Sequence, residues 1–191
     1  MKINVYDSYC KEKIEIVKKF IKKSDSILDI GCGGPDHKYC LNELIKYPKW
    51  MGFDINPVEN KRIIQGDILK KDIAANSYDV VLCLDVLEHF KEPEILMKKL
   101  IKISKKKVII ITPVTKYKNL RKFTNIIRKI FGIGVLEGHY YEFFDSEMEK
   151  MSKGSSITEK IYIPFPLPFV SNILYKTGIV RSGIFVLEKN N

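Results

Sequence analysis

Residues 28–35 read LDIGCGGP, a short apolar run that ends in glycines. A glycine turn lets the backbone approach a ligand where a side chain would clash, and the start of the next helix offers unpaired N–H groups. Three aspartates surround this turn. Asp29 precedes the glycines, where it orders the turn or reaches an ammonium group. Asp54, in GFDIN, lies 21 residues after Gly33, about where a nucleotide site places a carboxylate for both ribose hydroxyls. Charged hydrogen bonds of that kind contribute about 1.5–3 kcal/mol each. Asp67, in QGDI, stands where a carboxylate accepts from an adenine amino group. Any one of them also reads as a cap or turn residue. Their recurrence at successive strand ends is what points to a nucleoside ligand.

The dinucleotide fingerprint needs Gly-x-Gly-x-x-Gly. Counted from Gly31 and Gly33, the third glycine would stand at position 36, which is Asp36. A carboxylate there would face a pyrophosphate, so a ligand without phosphates fits better.

The elements that must position these residues follow from the apolar spacing. Residues 11–23 place Ile14, Val17, Phe20 and Ile21 at helical spacing among lysines, and 37–46 and 92–104 also read as helices. Residues 27–31, 50–54, 62–65, 78–84 and 107–112 read as strands, the last ended by Pro113. Strands alternating with helices predict a parallel sheet covered on both faces. In the tail, 157–163 and 183–188 read as two strands joined by a loop containing Pro164, Pro166 and Pro168.

The 191 residues are enough for one domain with a sizeable core, and 45% hydrophobic with 29% charged residues is ordinary globular composition. No apolar run is long enough to span a bilayer, and the first residues have no apolar signal-peptide core. The four cysteines form no CxxC pair, which argues against a zinc ribbon and for reduced thiols in a cytoplasmic protein. The net charge of +10 is local: residues 101–135 hold ten Lys and Arg and no Asp or Glu, while the rest of the chain cancels. Within that stretch 116–131 reads as an amphipathic helix. Three readings stay open for it: a cap helix with a solvated basic face, an interfacial helix on anionic lipid, or a surface for an RNA backbone.

The ordered set LDIGCGGP, GFDIN, GDI, YDVVLCLDVLEHF and VIIITP, over residues 27–113, resembles the class I S-adenosylmethionine (SAM)-dependent methyltransferases. Its LDVLEHF segment is most similar to the ubiquinone-biosynthesis O-methyltransferase group. The resemblance implies an α/β, Rossmann-like, doubly wound sheet of seven strands, mostly parallel with an antiparallel last strand. It implies one domain over 1–191 with a basic cap insertion at about 114–145. It puts Asp29, Gly31 and Gly33 around the methionine end of SAM, Asp54 with Ile55 on the ribose side, Asp67 and Ile68 on the adenine, and Leu84 near the sulfonium. The family often has a third glycine where this chain has Pro35.

Methyl transfer from a sulfonium is an in-line displacement that needs alignment and desolvation. An alcohol or phenol acceptor must also lose a proton. His89, with Glu88 beside it, is the candidate general base; otherwise it is a residue packed at a helix start. The spacing allows a second reading in which Asp85, Glu88 and His89 converge on a divalent cation. Metal-assisted relatives carry Glu-x-x-Glu-His here with a further ligand downstream, for which His139 is the candidate. Such a set suits magnesium, manganese or zinc. Tyr140, Tyr141 and Phe144 read as substrate walls or as core. The expected function is SAM-dependent methylation of an oxygen on a small, lipid-like or glycan-type acceptor. The alternatives are RNA 2′-O-methylation, or a non-catalytic SAM-binding protein that regulates a partner.

Overall fold

The structure, a computed structural model, describes residues 5–33, 38–115, 143–164 and 181–190. The basic helix expected over 116–131, His139, Tyr140, Tyr141, and the turn residues Gly34, Pro35 and Asp36 lie outside the described residues.

In chain order the elements are α1 (Val5–Lys18), β1 (Ile27–Ile30), α2 (Lys38–Leu44), β2 (Trp50–Asp54), β3 (Ile63–Gln65), β4 (Tyr78–Leu84), a short 3-10 turn (Leu87–His89), α3 (Pro93–Ile103), β5 (Ser104–Val114), α4 (Asp145–Met151), β6 (Ser155–Pro164) and β7 (Arg181–Lys189). The strands form one seven-stranded sheet in the order β3-β2-β1-β4-β5-β7-β6. The first five are parallel, and β7 runs antiparallel to both β5 and β6. This is the expected α/β sheet, mostly parallel with an antiparallel last strand.

Strand side chains point alternately to the two faces, so a buried run supplies two cores at once. Val81, Cys83, Val108, Ile110 and Phe185 pack toward α3 and α4 with Leu96, Met97, Leu100 and Met148. Val80, Leu82, Ile109, Ile111 and Ile184 pack toward α1 and α2 with Ile14, Val17, Leu41 and Leu44. The uninterrupted VIII of β5 therefore serves both faces.

Two boundaries differ from expectation. α1 starts at Val5 and ends at Lys18, after which the N–H groups of Lys19, Phe20 and Ile21 donate to carbonyls three residues back. This tighter winding closes the helix end and still buries Ile21. β5 runs through Pro113 to Val114. β4 has ended by then, its Leu84 pairing with Ile111. Pro113 uses only its carbonyl, which accepts from the Phe143 N–H at 3.1 Å, so its missing donor costs no ladder bond there.

β1 and β4 are sequence-distant neighbours between which the strand order reverses. In open α/β sheets the crevice at the carboxyl ends of such strands takes the ligand. The opposite end is sealed by charge: Ser26 donates through N–H and Oγ to Asp79, and Lys106 bridges Asp79 and Asp25. The Ser26 N–H is the main reason that the Asp79 carboxyl falls to about 2.

Arg62 anchors the entry to β2. Its guanidinium donates to the carbonyls of Ile45, Tyr47 and Trp50 at 2.6–3.0 Å and lies 5.4 Å from the centre of the Trp50 ring. Arg62→Ala leaves these carbonyls without their donors and should lower unfolding stability by about 2 kcal/mol in denaturant titration. Arg62→Lys should not restore it, since one ammonium cannot span the same three acceptors.

Candidate functional site

The glycine turn is built by backbone contacts. Gly31 has φ +67° and donates its N–H to the Phe53 carbonyl at 2.7 Å. A Cβ at Gly31 would lie 2.3 Å from Val86 Cγ2, so both conformation and space require glycine. Gly33 has φ +104° and donates its N–H to Asp54 Oδ2 at 3.0 Å. Asp54 Oδ1 accepts from the Asn56 N–H at 2.8 Å, and the Asp54 carbonyl accepts from Gly66 at 2.9 Å. The ends of β1, β2 and β3 are thus laced together around one carboxylate.

A cavity of about 410 Å³ opens over these strand ends, lined by Ile30, Gly31, Phe53, Asp54, Ile55 and Gly66, then Asp67, Ile68, Leu69, Val86, His89 and Phe90. That volume lies in the range of small-molecule sites. The lining is mostly apolar, and none of these described residues is Lys or Arg. Ile55 is 64% exposed, an apolar side chain standing open at the rim. Asp67 accepts from the Leu69 N–H at 2.9 Å and pairs with Lys70; the Leu69 bond is the main cause that lowers its carboxyl below the usual range.

Of the residues expected from sequence, Gly31, Asp54, Ile55, Asp67, Ile68 and His89 converge on this cavity. Gly33 supports it from behind through Asp54. Asp29 and Leu84 are not on its wall. The Asp29 side chain is buried and accepts from Trp50 Nε1 at 3.3 Å. Burial pushes its carboxyl up to about 7 against the pull of the Trp50 N–H, and the Asp54 charge adds to the rise. Leu84 packs, half-buried, on the α1–α2 side of the sheet.

The segment after β4 separates its three polar residues. His89 reaches the cavity. Glu88 is fully buried and accepts at Oε2 from Thr112 Oγ1 at 3.1 Å; its Oε1 has no hydrogen-bond partner among the described residues. Burial first, then the charge of Asp85, pushes the Glu88 carboxyl up to about 8. Asp85 is held by Lys13 Nζ at 2.8 and 2.6 Å. Among the described residues no three His, Cys, Asp or Glu side chains are grouped to hold a metal ion. Phe144, read as a wall or as core, is buried and precedes α4.

Sequence reasoning missed Lys13, Phe53, Val86 and Phe90. The signal for Lys13 was present: it shares a helical face with Val17, so α1 carries a lysine on its buried stripe.

Glu88 keeps its proton in the folded chain to about pH 8, while its ordinary value is 4.5. The folded state therefore binds more protons across that window, and stability falls as pH rises through it. Glu88→Gln should remove this component, flattening the fall by up to about 1.4 kcal/mol per pH unit in denaturant titrations at stepped pH. An unchanged slope would place the Glu88 carboxyl near its ordinary value.

The model of the methyltransferase-domain family matches residues 1–147. No curated protein matches the chain. Among solved structures, the YcgJ protein of Bacillus subtilis superposes with a TM-score of 0.69 at 14% identity, covering 95% of this chain and 99% of that one. Magnesium protoporphyrin IX methyltransferase of Synechocystis PCC 6803, solved with bound S-adenosylhomocysteine (SAH), gives 0.64 at 16% identity, over 97% of this chain and 84% of that one. Phosphoethanolamine N-methyltransferase 2 of Haemonchus contortus, in complex with phosphomonomethylethanolamine and SAH, gives 0.69 at 16%, over 95% and 53%. At these identities the likeness is one of fold. With its glycine turn, its sheet order and a family match over well more than half its length, the chain belongs to the methyltransferase-domain family.

Proposed function

We infer that this methyltransferase uses SAM and methylates an oxygen on a small, lipid-like or glycan-type acceptor, with His89 as general base. The observation that carries the reading is the mostly apolar cavity that holds Asp54 and His89 in one wall set. An ionised carboxylate has about four acceptor positions. The N–H groups of Gly33 and Asn56 use two at Asp54. Two remain, which suits a pair of neighbouring ribose hydroxyls. Ile55, Ile68 and Leu69 offer apolar faces to a flat base, and Asp67 offers an acceptor at its edge. A lining without Lys or Arg suits a nucleoside that carries no phosphate.

When bound, SAM supplies a methyl group on a cationic sulfonium. The chain's part is to hold, orient and dehydrate. The Gly31 backbone allows close approach, and Val86 and Phe90 exclude water from the same wall. His89, in the DVLEH segment that resembles the ubiquinone-type O-methyltransferases, takes the proton of an acceptor hydroxyl at the cavity mouth. Asp29, bonded to Trp50 Nε1, ties β1 to β2 beneath the glycine turn. No helix among the described residues is long and apolar enough to cross a membrane. A lipid-like acceptor would then be met at a surface, for which the basic segment 116–131 is the candidate.

Two measurements test this. Calorimetry with SAM or SAH should show one saturable site that Asp54→Ala weakens by about 10-fold or more; no binding to the unmodified protein would sink the reading. A screen of phenolic, lipid-linked, glycan and RNA acceptors with labelled SAM identifies the class. On the acceptor found, His89→Ala should cut turnover by about 100-fold while SAH affinity is kept. An unchanged rate would make His89 a wall residue only.

A further inference from the structure

Lys13 lies on α1, 72 residues before its partner Asp85. Its ammonium donates to both oxygens of the Asp85 carboxylate, at 2.8 and 2.6 Å. The lysine side chain is 7% exposed and the aspartate 30%. With the lysine this buried, desolvation offsets much of the attraction, so the pair contributes geometry more than stability.

The conformation it holds is unusual. Asp85 has φ +55°, left-handed for a residue that is not glycine. Its N–H still donates to the Ile111 carbonyl at 2.8 Å, so Asp85 is pinned to β5 while its positive φ turns the chain as it leaves β4. The residues that follow line the site: Val86 fills the space left by the absent Gly31 Cβ, and His89 and Phe90 line the cavity. The turn is closed by the His89 N–H on the Val86 carbonyl at 3.1 Å. Neither Lys13 nor Asp85 is on the cavity wall.

We propose that Lys13 is a positioning residue for methyl transfer: by clamping Asp85 in its left-handed conformation, it fixes the 85–89 turn that carries Val86 and His89 to the cavity. The proposal rests on the reading of that cavity as the cofactor site. It makes α1 part of the active-site framework and not only a cover for the sheet. It also explains how the chain keeps a carboxylate beside the buried Glu88. The groups facing Glu88 are Asp85 from its own turn, Lys13 from α1 and the Thr112 hydroxyl from β5. Lys13 offsets the Asp85 charge, and Glu88 in turn acts on the Cys83 thiol of β4.

The test uses the full chain, SAH as the probe ligand, and the Glu88 carboxyl followed by heteronuclear NMR of labelled glutamate. Lys13→Met should weaken SAH by about 10-fold, with Lys13→Arg within about threefold of the unmodified protein. In Lys13→Met the Glu88 midpoint should move up, since the neutralising charge is gone. The double variant Lys13→Met/Asp85→Ala leaves no unpaired buried charge and no side chain that favours the left-handed conformation. If Lys13→Met fails to fold, this variant decides, and it should fold yet bind SAH as weakly. SAH affinity within about twofold of the unmodified protein, in whichever of these variants folds, would overturn the proposal and leave Lys13 a brace of the fold. If the unmodified protein binds no SAH, the cofactor reading fails by itself. Backbone amide spectra of the labelled chain then decide separately: 85–89 shifts left unmoved in Lys13→Met overturn the clamp.

Discussion

The close approach of β1's end to the turn after β4 is the contact on which the site depends. Gly31 and Val86 meet there without room for one more carbon. Gly31 and Asp85 each take a left-handed conformation beside that contact, where β1 and β4 end. The crevice beside that contact has its floor set by backbone geometry, while side chains such as Phe53, Ile55 and Phe90 complete its walls. Preformed geometry of this kind reduces the entropy that a bound ligand must otherwise lose.

Solvation sorts the carboxylates around the crevice into two kinds. Asp54 and Asp67 stand at its edge and accept backbone N–H groups while keeping capacity for a ligand. Asp29 and Glu88 lie beneath it, dry, and hold their protons up to about 7 and about 8. The acidic residues near the turn are therefore not one cluster of negative charge. The chain's +10 plays no part in the cavity wall, whose described residues include no Lys or Arg. Its densest source, 101–135, contributes Lys106 to the far end of the sheet instead.

Much of this was legible in the residues. Runs such as VVLCL and VIII, short and rich in β-branched residues, read as strands covered on both faces, and the glycine turn with Asp54 follows from local spacing. What was not legible depended on distant neighbours. Asp29 reads as a ligand from its place before the glycines, yet Trp50 on the adjacent strand, with Asp29 opposite Gly52, turns it into a buried acceptor. Asp85 and Glu88 share a short motif with His89, but Lys13 takes one and Thr112 the other. Pro113 reads as a stop, and is one only where a strand needs its donor. The start of α1 was hidden because VYDSYC carries a weaker apolar stripe than the residues after it.

The bridge between Val114 and Phe143 carries a different consequence. Thr115 donates to the Phe143 carbonyl at 2.9 Å, and Phe143 donates to that of Pro113 at 3.1 Å, so the chain leaves the sheet and rejoins it at one point. Closing a loop at such a neck costs an entropy that grows only slowly with the number of residues between its ends. A change in the length of chain closed at that point therefore loads the sheet, the glycine turn and the carboxylates only weakly.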